Sequence, residues 1–136
     1  MKFRFFDHTA DAKFRAYGKT VEEQFSNAAL AMTAVMFDVG RMKGEVEEEI
    51  RVEGSDFEQL LYNWLEALLF LMDTKGYIMV KIKSLKIMKR NRQYHLKAEV
   101  RFTKWYESIP QKTLVKAATY AEMEITPEYV QVVVDI

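Results

Sequence analysis

The chain has 136 residues, a neutral balance of 20 Lys and Arg against 20 Asp and Glu, and a hydrophobic fraction of 49%. This composition excludes a disordered chain, and the length predicts a single domain over residues 1–136. With no cysteine and two histidines, disulfides, cysteine-ligated metals and multi-histidine metal sites are excluded. Neutral charge does not favour a nucleic-acid-binding module, because such domains usually carry an excess of Lys and Arg.

Nothing in the sequence indicates a membrane segment. The apolar stretches are shorter than the roughly 20 residues that a membrane-spanning helix needs. The segment Met1–Asp7 contains charged residues and lacks the apolar centre of a signal peptide. We therefore expect a cytoplasmic protein that does not associate with membranes.

The first half of the chain predicts two strands, a helix and a third strand. Strands are predicted at Lys2–Phe6 and at Ala12–Tyr17, where apolar and polar residues alternate. Thr20 and Glu23 have the spacing of a capping box, and apolar residues follow them at steps of three and four, which predicts a helix. Val46–Glu53 has the alternation of a strand.

The strongest helix in the sequence is predicted to begin at Ser55, which has Glu58 at the spacing of a second capping box. Its apolar positions form one wide face, and Lys75–Gly76 is a typical helix end. The residues of that face are Phe57, Leu60, Leu61, Trp64, Leu65, Leu68, Leu69 and Met72.

The remainder of the chain predicts sheet. The predicted segments are strands at 77–82, 85–88 and 94–102, a turn at 90–92, a loop at 103–111, and a last pair of strands at 115–125 and 129–136. The fold class that follows is α+β: a two-layer single domain with a mostly antiparallel or mixed sheet of about seven strands packed against two helices.

The polar segment between the first two strands is the first candidate site. Asp7 and Asp11 are four residues apart, and two carboxylates in a curled loop can bind a hard cation, which prefers oxygen ligands. An aspartate that follows a strand also commonly caps a turn, and the spacing alone favours this structural role. The expected role of His8 is likewise that of a loop residue bonded to the backbone.

The end of the sequence is the second candidate site. Asp135 ends an apolar strand, where a buried carboxylate is unfavourable unless it is paired or binds a cation. The α-carboxylate of Ile136 places a second anionic group beside it. The alternative is that both groups lie in solvent, because the last residues of many domains fray.

Two cationic segments complete the candidates. Lys116 precedes Thr119 and Tyr120 in a predicted strand, and this group could bind a phosphate or a partner carboxylate, although each residue also suits an exposed strand. The second segment is Lys83, Lys86, Lys89, Arg90 and Arg92, which we interpret as a surface hairpin, with an RNA or partner contact as the alternative.

The order of these motifs resembles the archease family. The resemblance begins at Phe6-Asp7-His8-Thr9-Ala10-Asp11, continues through Ala16-Tyr17-Gly18 and the helix opened by Thr20, and includes Ser55-Asp56-Phe57-Glu58-Gln59-Leu60-Leu61 with Trp64-Leu65 and Leu68-Leu69. It ends with Val115-Lys116-Ala117-Ala118-Thr119-Tyr120 and Val134-Asp135-Ile136. These segments span the whole chain.

The resemblance implies a non-catalytic accessory protein of the tRNA-splicing RNA ligase. Archeases promote guanylylation of the ligase's active-site histidine, allow multiple turnover and can broaden its nucleotide use, so this chain would meet tRNA only through the ligase. A general chaperone or modulator of RNA- and DNA-processing proteins, such as a methyltransferase, is the alternative that the family also suggests.

The resemblance also implies a calcium site. Its ligands would be Asp11, Asp135 and the carboxylate of Ile136, with Asp7 as a further ligand or an outer acceptor. Lys116 would contact a phosphate or a ligase carboxylate.

The sequence departs from the family's pattern at three positions. Many members have a Gly-Glu pair near Arg101, a glutamate near Leu114 and a histidine at the position of Ala121. What these three departures do to contacts with a partner protein stays open. The residues that the resemblance implies as ion ligands are all present.

Overall fold

The computed structural model describes residues 1–7, 11–106 and 108–136, with Arg41 through its backbone alone. In these ranges the chain forms eight β-strands, two α-helices and a short 3-10 helix at Val39–Arg41. The strands are β1 Phe3–Phe6, β2 Asp11–Tyr17, β3 Val46–Gly54, β4 Tyr77–Arg90, β5 Gln93–Lys104, β6 Ala117–Ala118, β7 Glu124–Ile125 and β8 Tyr129–Asp135. The helices are α1 Val21–Met36 and α2 Phe57–Lys75.

The strands form two antiparallel sheets. The first has the order β1-β2-β8-β6, with β7 also paired to β8, and the second has the order β3-β5-β4. Both helices pack against both sheets. The α+β fold class predicted from the sequence is therefore confirmed, with the strands divided between a five-stranded and a three-stranded sheet.

One continuous core lies between the helices and the sheets. The indole Nε1 of Trp64 donates to the carbonyl of Phe25 at 3.0 Å, which joins the two helices inside this core. The largest fully buried side chains include Trp64, Phe14, Phe25, Phe37 and Phe102.

Neither helix of the described ranges has the length and apolar character needed to cross a bilayer.

The helix boundaries follow local capping groups. Thr20 caps α1 as predicted, since its Oγ1 accepts from the amide of Glu23 at 3.1 Å. The predicted start of α2 at Ser55 and Glu58 is wrong by one residue. Asp56 is the cap and accepts from the amide of Gln59 at 2.7 Å, because its carboxylate is the stronger acceptor at the positive end of the helix.

The C-terminal third differs most from the sequence prediction. The strand predicted at 115–125 is wrong, because only β6 and β7, of two residues each, pair with β8 there. Between them the chain turns at 121–122, and Glu122 has a φ of 50°, which no strand residue adopts. The two strands predicted at 77–82 and 85–88 are one irregular strand, β4.

Candidate metal centre

The first candidate site lies where β2 begins and β8 ends. In the antiparallel pairing of these strands, Asp11 is directly opposite Asp135. Residues in direct register lie on the same face of a sheet, with Cβ atoms about 4.5–5.5 Å apart. The structure therefore brings together two carboxylates from the two ends of the sequence.

The end of β8 is held on both of its edges. Beside β2 on one edge, it pairs with β6 on the other, where Ala117 is directly opposite Asp135. The amide of Lys116 donates to the carbonyl of Asp135 at 2.7 Å, and Thr119 Oγ1 donates to the carbonyl of Val133 at 2.7 Å. Asp135 thus has an exposed side chain on a backbone that is paired on both edges. Fraying does not apply to this residue, while the alternative that its charge lies in solvent stays open.

An open cavity of about 370 Å³ adjoins the carboxylate pair. Asp7, Asp11 and Ile136 line it, together with Lys13 and Thr113. Asp135 is not among the residues that line the cavity, and its link to the group is its register position opposite Asp11. His8, which the sequence predicts as a loop residue, lies outside the described residues.

The charges at this sheet end are mostly of one sign. Like charges directly opposite each other in an antiparallel pair are destabilising, so the Asp11–Asp135 pair favours binding of a cation. Lys13 is the nearest cation on the same face of β2. Its Nζ donates to Glu122 Oε1 at 3.1 Å and forms an ion pair with that carboxylate. Carboxylate oxygens are the donors that Ca²⁺ and Mg²⁺ prefer, so the chemistry of the donor set fits a hard divalent ion.

The side chains alone do not complete a metal site. In the part of the chain that the structure describes, no three Asp, Glu or His side chains gather at one point. A third ligand would have to be another oxygen, and the carboxylate of Ile136 is adjacent to Asp135 in the chain.

Comparison with known proteins identifies the family of this chain. The chain matches the Archease protein family (MTH1598/TM1083) over residues 3–136. It belongs to the archease family. The resemblance noted in the sequence is confirmed over nearly the whole chain.

Relatives and solved structures agree with this assignment. The archease of Methanosarcina mazei is 41% identical over 140 residues, covering 99% of this chain and 96% of the relative. The solution structure of Methanobacterium thermoautotrophicum protein 1598 has a TM-score of 0.84 at 34% identity, covering 99% of both chains. An archease from Thermotoga maritima described as a possible chaperone has a TM-score of 0.60 at 18% identity, covering 96% of this chain and 94% of that one, and shows the shared fold.

The archease motif around Lys116 contributes to the site through its backbone. Lys116 has an exposed side chain, and Ala117, not Lys116, is directly opposite Asp135. The sequence did not indicate that Ala117 would lie opposite Asp135 or that Thr119 would hold β8 through a hydrogen bond. The adjacent alanines Ala117 and Ala118, within a segment that resembles a strand, are the sequence feature that could have indicated this close pairing with β8.

One departure from the archease pattern has a local structural explanation. Arg101 lies directly opposite Glu47 in the β3–β5 pair, and its guanidinium donates to Glu47 Oε1 at 2.7 Å. Lys83 Nζ donates to the same oxygen at 2.9 Å. These two hydrogen bonds hold the pKa of Glu47 below its ordinary value of 4.5. The bond from Arg101 is the larger cause and the bond from Lys83 the second. Nothing in the structure explains Leu114 or Ala121, which are both exposed.

Proposed function

We propose that this archease binds a divalent cation, Ca²⁺, at the sheet end where β2 begins and β8 ends. The observation that carries the proposal is the direct register of Asp11 and Asp135. The proposed ligands are these two carboxylates and the carboxylate of Ile136, with Asp7 as a further ligand or as an acceptor that orients the loop. When bound, the cation would offset the repulsion within the cluster and, at a free coordination position, could take a phosphate oxygen as a ligand.

The residues of the chain have separate tasks in this proposal. Asp11 and Asp135 provide charged oxygens from two strands whose relative position is fixed by the sheet ladder. The hydroxyl of Thr119 and the amide of Lys116 hold the last residues of β8, before Ile136, through hydrogen bonds to backbone carbonyls. The side chain of Lys116 is exposed beside this point and is proposed to contact a phosphate or a carboxylate of a partner.

The proposed activity is that of a non-catalytic accessory protein of the tRNA-splicing RNA ligase. It would promote guanylylation of the ligase's active-site histidine, allow repeated turnover and broaden nucleotide use. Family membership supports an accessory role, and the acidic cluster lies at an exposed end of the sheet, where a partner enzyme can reach it. A bound divalent ion that keeps a free coordination position can take a phosphate oxygen as a ligand, and phosphoryl transfer responds strongly to such a contact.

A guanylylation time course of the cognate ligase tests this proposal. The archease is added at substoichiometric amounts, with Ca²⁺ or with a chelator, and labelled nucleotide on the ligase is counted. We expect many guanylylated ligase molecules per archease, and loss of the effect with Asp11→Asn or Asp135→Asn. Asp73→Asn, which removes one exposed carboxylate from α2, is the matched control and should stimulate fully. Full stimulation by both site variants would remove the acidic site from the mechanism.

The second candidate function is a chaperone or adaptor for RNA- or DNA-processing proteins. The observation that favours it is an apolar surface formed by Trp105, Tyr106 and Ile109, which line a cavity of about 430 Å³. Trp105 and Tyr106 are partly exposed. A chaperone should need this surface rather than the carboxylates. The variant Trp105→Ala would then abolish activity while Asp135→Asn retained it, which is the reverse of the expectation for the ligase activator.

A further inference from the structure

The outer face of the second sheet carries a row of cations at one end. Residues of β5 alternate between the core and this face, and the outward row across the three strands is Arg51, Lys97 and Lys86 in direct register. Like charges directly opposite each other weaken strand pairing. Strand pairing alone therefore gives no reason for three adjacent cations, and their placement indicates another role.

Only part of this charge is neutralised within the molecule. Glu49 accepts from Arg51 at 2.7 Å and lies 3.3 Å from Lys97, so one carboxylate serves two cations. Within the described ranges, Lys86 and the hairpin residues Arg90 and Arg92 have no carboxylate within the 4.0 Å of an ion pair. The chain as a whole has equal numbers of acidic and basic residues, so the excess is local.

The turn that joins β4 to β5 extends this cationic end. Asn91 and Arg92 have φ values of 53° and 64°, both in the left-handed region. Two-residue hairpin turns of this kind favour Asn followed by Gly, because only glycine adopts the second conformation without strain. Arg92 occupies that strained position with an exposed side chain. Strain that persists at an exposed residue often accompanies a binding role.

These groups surround a shallow cavity of about 690 Å³. Its lining combines the cations Arg51, Lys86, Arg90 and Lys97 with Glu53 and His95, and Met88, between Lys86 and Arg90 on β4, is 63% exposed. The row Arg51–Lys97–Lys86 is followed by the row Glu53–His95–Met88. Arg90 therefore lies two rows from Lys86, about 14 Å away at about 3.4 Å per residue. The cations thus form a two-dimensional array rather than a single point charge.

We infer that this array, the basic hairpin surface formed by Arg51, Lys86, Arg90, Arg92 and Lys97, binds the phosphate backbone of single-stranded RNA. The inference rests on the proposed function for the choice of RNA as the anion, and it gives the protein a direct RNA contact. Repeated phosphates match spaced cations along a surface. One ring lines the cavity, the half-buried imidazole of His95, and its Nδ1 lies 3.4 Å from Glu53 Oε1, so we expect contact with the backbone rather than base stacking.

An acidic protein segment fits this surface less well. Protein interfaces depend on buried aromatic or large apolar anchors near their centre. Among the exposed large hydrophobic side chains of the described residues, the basic hairpin surface contributes Met88 alone. Binding to this surface would depend mainly on electrostatic attraction, and a nucleic-acid backbone carries a negative charge at every phosphate.

Fluorescence anisotropy with a labelled 15-nucleotide oligouridine tests the inference on the protein alone, with neither ligase nor calcium. The test variant is Lys86→Gln/Arg90→Gln/Arg92→Gln, because these three residues form no ion pair with any carboxylate that the structure describes. The control is Lys2→Gln/Lys19→Gln/Lys112→Gln, which removes three exposed cations elsewhere. With about five phosphate contacts, log affinity should fall with log salt at a slope of about −3.5. The test variant should bind at least tenfold more weakly, with a slope reduced by about 2.

Each other result overturns the inference. No binding of oligouridine at 50 mM salt, or equal loss in the test and control variants, shows that the basic hairpin surface does not bind RNA. Displacement of the RNA by polyglutamate at equal charge concentration shows an acidic protein as the occupant instead. Ligase guanylylation without RNA, measured in parallel with the same variants, separates this result from the proposed function, because stimulation there depends on Asp11 and Asp135.

Discussion

Asp11 and Asp135 lie directly opposite each other, on the face of the first sheet that points away from the core. The register that pairs them is fixed by the other face, where Phe14 is opposite Val132 and both side chains are fully buried. Because side chains alternate along a strand, a slip of one residue would expose these core residues. The hydrophobic core therefore determines that the two carboxylates meet.

The hydrogen bond that Thr119 donates to β8 leads us to expect that stability and calcium affinity fall together when it is removed. Thr119→Val removes the hydroxyl that donates to the carbonyl of Val133 and should lower the free energy of unfolding by about 1 kcal/mol. We expect calcium affinity, measured by calorimetry, to fall with it, because the backbone before Asp135 loses one support. Thr74→Val removes a similar bond, from Oγ1 to the carbonyl of Phe70, at the end of α2. An equal loss of calcium affinity in this control would contradict the role of Thr119.

A C-terminal extension tests the proposed third ligand. Adding one glycine after Ile136 converts its carboxylate to an amide and moves the charge one residue further away. A neutral carbonyl is a weaker ligand for Ca²⁺ than a carboxylate, so calcium affinity should fall at least tenfold. Calorimetric titration of the extended protein measures the change. Unchanged affinity would mean that Ile136 takes no part in binding.

The Arg101–Glu47 pair predicts a defined pH dependence. The folded-state pKa of Glu47 lies below 4.5, so its ion pairs stabilise the fold above the unfolded pKa, and this contribution is lost as the pH falls through the folded value. Arg101→Met removes the largest cause of the shift. We expect the pKa of Glu47, followed by NMR titration of its carboxyl carbon, to rise towards 4.5. A pKa that stays depressed would assign the effect to Lys83 alone.

The hairpin turn predicts a substitution that stabilises the fold. Arg92→Gly relieves the left-handed conformation at a φ of 64° and should raise the free energy of unfolding by about 0.5–1 kcal/mol, after allowance for the greater flexibility of glycine when unfolded. Urea denaturation measures this. Arg92→Ala keeps the strain and should give no gain; a similar gain in both variants would show that strain is not the cause.

The sequence predicted local features better than pairings. The Thr20 cap, the end of α2 at Gly76 and the alternation of β2 depend on neighbouring residues, and each is present in the structure. The start of α2 was displaced by one residue because Ser55 and Asp56 are both good caps, and only the observed hydrogen bond distinguishes them. Such choices depend on small differences between adjacent groups.

The pairing of β8 between β2 and β6 could not be predicted from the residues alone. It joins segments far apart in the sequence, and strand order depends on how the helices cover both sheets. The segment 115–125 is apolar enough for one strand, but the conformation of Glu122 interrupts it. The meeting of Asp11 and Asp135 was implied by the archease resemblance, whereas spacing alone favoured a turn-capping role for the N-terminal aspartate.

The most direct test of the account compares the stability of wild-type protein and Asp135→Asn in chelator and in calcium. In chelator, the variant should be more stable by about 0.2–1 kcal/mol, because it removes repulsion with Asp11. In calcium at 100 times the dissociation constant, the wild type should gain about 2.7 kcal/mol and the variant much less, so their order reverses. If the wild type gains no stability in calcium, or if both proteins gain equally, Asp11 and Asp135 do not form a cation site.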